Sequence, residues 1–145
     1  QYKITDGSGL SLYNYVTPEL MIRLLIYAYR HLDIFRELYP SLPVAGQDGT
    51  LKKRMTESVA NGRVHAKTGT VTGVTTLAGY CTSANGHVLA FSIMNQGVMK
   101  IAEGRDFQDR LCAVMSDPNR FETPQPKVEK KVVKKTKTKT RKRKK

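Results

Sequence analysis

Lys67-Thr68-Gly69-Thr70 sets four residue types in an order that suits one task, holding a carboxylate beside a carbonyl under attack. Acyl transfer at a peptide terminus needs an activated hydroxyl, a general base, an oxyanion hole and a clamp for the terminal carboxylate. A strand edge bearing these four residues supplies the last two. Lys67 offers a cation to the carboxylate, and to any second lysine nearby, which like-charge repulsion would help keep neutral. Thr68 offers a hydroxyl donor to the same group. Gly69 has no Cβ, so a substrate backbone can lie against the strand. The Thr70 N–H, on the edge facing the substrate, is placed to be one oxyanion donor. No serine in the chain is followed three positions later by lysine. Taken alone, the tripeptide also reads as a lysine on a solvated strand edge beside a turn.

Several elements must position this edge. Asp6-Gly7-Ser8-Gly9 is turn chemistry. Thr17-Pro18-Glu19 opens a helix, with threonine as N-cap, proline at the first position and an acid in the first turn. Met21, Leu25, Ala28, Leu32 and Phe35 extend it as one apolar stripe, widened by Leu24, Ile26 and Tyr27, and Tyr39-Pro40 stops it. Most of this helix should be buried. After a loop from Pro43 to Gly49, Thr50 is placed to cap a short helix carrying Leu51 and Met55. The period then changes to that of strands: Val64 to Thr68, ended by Gly69, then Val74 to Thr82 and His87 to Met94. Asn85-Gly86 between the last two signals a hairpin. Phe107, Leu111 and Val114 mark a final helix closed by Asp117-Pro118. The order implies an α+β fold, an antiparallel sheet with helices packed on its faces.

Charge divides the chain unevenly. Its formal net charge is +13 over 145 residues, yet residues 127–145 hold 12 Lys/Arg against the single Glu129. The rest is nearly neutral, with 13 basic and 11 acidic side chains. The chain therefore reads as a domain over residues 1–118 and a disordered Lys/Arg-rich tail over 119–145, too polar to offset its ordering entropy. The neutral body argues against a nucleic-acid-binding protein, and the tail has no aromatic residue to stack on bases. Acidic cell-wall polymers or anionic lipid headgroups suit the tail better. No run of 18 apolar residues marks a membrane span. Starting at Gln1-Tyr2-Lys3 without methionine or signal peptide, the chain reads as beginning in mid-domain. Cys81 and Cys112 fit no metal-ligand spacing and read as buried free thiols, although one bridge would be open to them in an oxidising compartment.

Three blocks carry a resemblance: Asp6-Gly7-Ser8-Gly9-Leu10-Ser11 with Asn14; Ala45 to Leu51 with Arg54; and Val64 to Thr70 followed by Leu77-Ala78-Gly79-Tyr80. In their order and spacing the chain resembles class C low-molecular-mass penicillin-binding proteins, the D-alanyl-D-alanine carboxypeptidases/endopeptidases with S-x-x-K, S-x-N and K-T-G motifs. The resemblance covers Asp6 to about Met115. It implies the C-terminal portion of a serine β-lactamase/transpeptidase-like domain in a periplasmic or envelope enzyme. Such an enzyme would cleave peptidoglycan stem peptides through an acyl-serine intermediate, be acylated by β-lactams and need no cofactor.

The resemblance gives Lys67 a catalytic role and makes Thr68, Gly69 and Thr70 substrate-binding residues. The nucleophilic serine, its lysine and the S-x-N element lie upstream in the family and are missing here, so this chain alone should be inactive. Ser83-Ala84-Asn85 spells S-x-N but follows K-T-G and sits in the expected turn. Ser8 and Ser11 read as loop hydroxyls bonding their own backbone, and His65 as structural. Asp6 and Asp48 either order the cleft loops or only form turns. Arg54 either pairs with an acid in the Asp48 loop or faces solvent. The competing reading is a non-catalytic peptidoglycan- or polyanion-binding module.

Overall fold

A computed structural model describes residues 2–121. Of the tail expected to be disordered over 119–145, residues 119–121 instead belong to a 3-10 turn, and residues 122–145 lie outside the described residues.

The first helix starts as its sequence requires. The Thr17 hydroxyl accepts the Leu20 N–H at 3.2 Å, with Pro18 and Glu19 in the first turn. This helix, α1, spans Pro18–Arg30. The single long helix expected through Phe35 does not form, because the backbone turns extended at His31 and restarts as α2, Leu32–Ser41. The His31 side chain folds back on the last turn of α1. Its ring stacks on Tyr27 with centroids 3.9 Å apart, and its Nδ1 lies 2.7 Å from the Tyr27 carbonyl oxygen. The same carbonyl also accepts the His31 N–H at 3.2 Å, so the helical ladder reaches His31 and lapses after it. The restart takes Leu32 off the apolar stripe, leaving it 60% exposed.

Leu25 and Ala28 are buried against the sheet, whereas Leu24, Ile26 and Tyr27, expected to widen the buried face, are exposed. Nor does Pro40 stop the helix, since it lies inside the last turn of α2. The chain becomes extended at Leu42, the residue before Pro43, where the following ring disfavours helical backbone. Thr50 does not act as a cap. It sits within a 3-10 turn, Gly49–Leu51, with Asp48 at the cap position. Leu51 and Met55 are both buried, as their shared side of the segment implies.

Three strands follow, β1 (Val64–Val71), β2 (Val74–Thr82) and β3 (Val88–Gln96), paired antiparallel in sequence order. β1 runs through Gly69 rather than ending there. Asn85-Gly86 forms the β2–β3 turn, where Gly86 takes a φ of +85°, a conformation open to glycine. The pleat sorts the side chains. On one face Val64, Ala66, Leu77, Cys81 and Phe91 pack beneath α3, which spans Ile101–Ser116. On the other face Tyr80 joins Leu25 and Leu42, and its hydroxyl donates to the Leu25 carbonyl at 2.7 Å.

The helix α3 ends at Asp117, as expected, and a 3-10 turn, Pro118–Phe121, follows. Its buried face is not the expected one. Gly104, Gln108, Cys112 and Ser116 are buried at every fourth position, while Phe107 and Val114 are 43% and 40% exposed. Cys81 and Cys112 are free and fully buried between β2 and this face. Burial, then the neighbouring Cys81 and Asp109, pushes the Cys112 thiol up to about 12, so it stays protonated at neutral pH. Among the described residues no helix is long and apolar enough to cross a membrane.

Candidate functional site

β1 is an edge strand, and its two sides differ. The Thr82 N–H donates to the Arg63 carbonyl at 2.8 Å, which fixes the odd-numbered residues of β1 as those bonding to β2. The even-numbered ones point away from the sheet, because the two settings alternate in an antiparallel ladder. Along that outer side Val64 accepts from the Ala45 N–H and Ala66 donates to the Pro43 carbonyl, each at 2.9 Å. The segment Pro43–Ala45 thus covers the first half of the edge. Asp48 holds this segment in place by accepting the Val44 N–H at 2.6 Å. Past Ala66 the cover ends, and the backbone N–H groups of Thr68 and Thr70 point outward with no partner among the described residues.

The side chains along this opening are poised rather than engaged. Lys67 is exposed, and its Nζ donates to the Thr68 carbonyl at 2.9 Å. The Thr68 hydroxyl lies 3.0 Å from that of Thr50. Thr70 Oγ1 receives only a long 3.4 Å contact from Arg105 on α3. A Cβ at Gly69 would run into the hydroxyl of Thr76, its partner across the ladder. Glycine here lets β1 lie close against the Thr76 side chain of β2.

The remaining candidates fall into supporting roles. Asn14 donates to the Asp6 carboxylate at 2.9 Å and accepts the Thr5 N–H at 2.7 Å, so this pair closes the loop over residues 5–14. The Asn14 hydrogen bond is also the largest influence holding the Asp6 carboxyl below its usual value. Ser8 and Ser11 accept the N–H groups of Leu10 and Tyr13 within that loop, as loop hydroxyls should. Ser83 and Asn85 hydrogen-bond each other in the β2–β3 turn. Arg54 matches neither of its expected settings. It reaches α3, with an NH2-to-Asp109 Oδ1 distance of 2.6 Å, and it also donates to Gln108 Oε1 at 3.1 Å and to the Arg105 carbonyl at 3.2 Å. Its partner lies 55 residues away, beyond anything local spacing indicates. Thr50 and Arg105 were not legible as site residues. Thr50 resembled a helix cap, and nothing in its neighbourhood marked Arg105.

His65 is structural. Its ring stacks on Tyr39 of α2, centroids 4.1 Å apart and planes 19° from parallel. Burial lowers its pKa, with Tyr39 and Asp48 pulling weakly the other way. The unfolded chain therefore binds a proton here at a higher pH than the folded one does. This stability is fully present above the unfolded value of roughly 6.5 and is lost as pH falls through the lower folded value. Acidifying from pH 7.5 to 5 should lower the unfolding midpoint of the wild type more than that of His65→Phe, which keeps the stack without the charge. Parallel curves would assign the acid sensitivity elsewhere.

The architecture belongs to a known class. Penicillin binding protein 4 from Haemophilus influenzae, in its complex with a novel β-lactam, superposes with a TM-score of 0.71 at 31% identity. That match covers 81% of this chain and 30% of the other. A predatory peptidoglycan endopeptidase from Bdellovibrio bacteriovorus shares the fold at a TM-score of 0.58 and 21% identity, over 77% of this chain and 29% of that one. The chain belongs to the D-Ala-D-Ala carboxypeptidase 3 (S13) family, which it matches over residues 1–117.

Two curated relatives lie nearby in sequence. Penicillin-sensitive carboxypeptidase A of Dictyostelium discoideum is 46% identical over 79 residues, which is 54% of this chain and 15% of that protein. The D-alanyl-D-alanine carboxypeptidase of an Actinomadura species is 44% identical over 99 residues, 65% of this chain and 18% of that protein. The chain spans less than a fifth of the length of either relative.

Proposed function

We propose that Lys67, Thr68, Gly69 and Thr70 form the carboxylate clamp and oxyanion side of a penicillin-sensitive, serine-type D-alanyl-D-alanine carboxypeptidase or endopeptidase. Its substrates are peptidoglycan stem peptides, and it works in the periplasm or cell envelope. The observation that carries this reading is the outer edge of β1, covered up to Ala66 and open from Thr68 to Thr70, in a chain of this family.

A peptide laid along that opening adds a short strand to the sheet. Its terminal carboxylate meets the Lys67 ammonium and the Thr68 hydroxyl. The carbonyl one residue earlier then lies at the Thr70 N–H. A serine hydroxyl from the family's S-x-x-K element attacks that carbon, and the Thr70 N–H takes up the growing negative charge on oxygen. Collapse of the tetrahedral adduct breaks the C–N bond and expels the terminal residue as an amine, leaving the acyl-serine for water to hydrolyse. A β-lactam carboxylate meets the same clamp. These 145 residues contain no serine–lysine pair of that spacing, so the chain alone releases no D-alanine.

A graft tests the assignment. Residues 2–117 would replace the matched region of Haemophilus influenzae penicillin binding protein 4, and D-alanine release and labelling by a fluorescent penicillin would be followed. The graft is expected to be active, and Lys67→Ala within it should lower kcat/KM by about 10- to 150-fold, the scale of losing one hydrogen bond to a charged carboxylate. A graft that folds and labels, yet keeps full turnover with Lys67→Ala, would remove Lys67 from the site.

A further inference from the structure

The Thr68 hydroxyl has one hydrogen-bond partner among the described residues, the hydroxyl of Thr50, 3.0 Å away and 18 residues earlier in the chain. Thr50 Oγ1 meets no other partner among them. Each hydroxyl carries one proton that turns freely about its C–O bond, and each can also accept. The backbone that carries Thr50 is held firmly. Gly46 donates to the Leu51 carbonyl at 3.1 Å, Leu51 to the Asp48 carbonyl at 3.2 Å and Arg54 to the Leu51 carbonyl at 2.9 Å. The Leu51 side chain is fully buried. Gly49, at a φ of +50°, packs so near Pro43 that an added Cβ would lie 3.0 Å from the Pro43 ring. The Pro43 carbonyl accepts from Ala66 on the outer edge of β1. The turn is thus anchored to the strand it faces, and it delivers the Thr50 hydroxyl where the cover of that edge ends.

We infer that Thr50 is a positioning residue of the clamp, which frees the Thr68 proton for the substrate carboxylate. With the edge empty, Thr68 donates to Thr50. A carboxylate only accepts, so on its arrival the single Thr68 proton swings round to it. The Thr50 hydroxyl then turns its own proton onto the lone pair that Thr68 presents. Both protons rotate while the two oxygens stay in place. Two hydroxyls donating in sequence polarise each other, which strengthens the bond from Thr68 to the anion. Without the Thr50 hydroxyl, Thr68 still reaches the carboxylate, but nothing sets its direction and the relay is lost. This inference rests on the carboxylate clamp proposed above.

The test titrates the 145-residue chain with N-acetyl-D-Ala-D-Ala and with its C-terminal carboxamide, reading the backbone amide signals of Thr68, Gly69 and Thr70. The free acid is expected to bind more tightly. Thr50→Val keeps the shape and removes the hydroxyl. It should weaken the acid by about three- to tenfold, the scale of one net hydrogen bond. The carboxamide should barely change, because a neutral acceptor draws less on the relay. Thr50→Ser should restore most of the loss. In a Thr68→Val background, Thr50→Val should have no further effect, since Thr50 acts through Thr68 alone. An unchanged acid affinity in Thr50→Val, an equal loss for both peptides, or a loss that persists in the Thr68→Val background would overturn the inference and leave the clamp standing. If neither peptide moves those three amides, or the acid is not preferred, both the clamp and the inference fail.

Discussion

Gly79→Ala is expected to cost the fold about 3 kcal/mol, the upper end for an overpacked core position. Gly79 faces Ala66 across the β1–β2 ladder. A Cβ there would press on the His65 carbonyl oxygen and come within 2.6 Å of the Ala66 Cα. Both obstacles are backbone, so no side-chain rotation relieves them. β1 cannot retreat either, because Val64 and Ala66 are tied on their outer side to Ala45 and Pro43. Urea unfolding of Gly79→Ala beside Gly7→Ala, where an added Cβ meets nothing within 4 Å, separates close packing from a general glycine effect. A Gly79→Ala midpoint as high as that of Gly7→Ala would mean the two strands are not so closely apposed. Any shift of β1 that accommodated the methyl would also carry Lys67 and Thr70 out of line.

The second large effect is expected at Arg54. Its side chain is 12% exposed and that of Asp109 is 25% exposed, so removing one partner strands a poorly solvated charge. Arg54→Met should cost about 2–3 kcal/mol, somewhat below a fully buried pair because water still reaches Asp109. Arg54→Met combined with Asp109→Leu should recover much of that loss, since no orphaned carboxylate remains. The cycle of the two single variants and the double is read from thermal unfolding. Strictly additive losses would show that the 2.6 Å contact contributes nothing as a pair. Because Arg54 also holds the Arg105 carbonyl and Gln108 Oε1, the double variant should stay somewhat below the wild type.

What could be read in advance follows the range of the interactions involved. The start of α1 was legible because Thr17, Pro18 and Glu19 act within one turn, and the β2–β3 hairpin because Asn85-Gly86 sets its own geometry. The K-T-G edge was legible as a motif, and its register turns the Thr70 N–H outward from the sheet. Three things resisted. The break at His31 falls inside a continuous apolar stripe, which therefore does not record it. The buried face of α3 is built from Gly104, Gln108, Cys112 and Ser116. Small and hydrogen-bonded residues fit close to the sheet there, so hydrophobic periodicity pointed to Phe107 and Val114 on the wrong side. Arg54 takes its role from a partner far along the chain, Asp109, and the distance that matters exists only after folding.

A half-open edge strand also bears on how the molecule behaves in company. Unpaired outward N–H and C=O groups accept any extended chain, including the same edge of another copy, which is the usual start of sheet-to-sheet aggregation. The Pro43–Ala45 segment shields half of this edge, and what remains is short and flanked by Lys67 and Arg105. Two copies meeting edge to edge would bring these like charges together, whereas an anionic peptide neutralises them. The repulsion acts over a screening length of about 8 Å at physiological salt and about 3 Å at 1 M. Raising the ionic strength therefore weakens the guard against self-association and the attraction for an anionic peptide together.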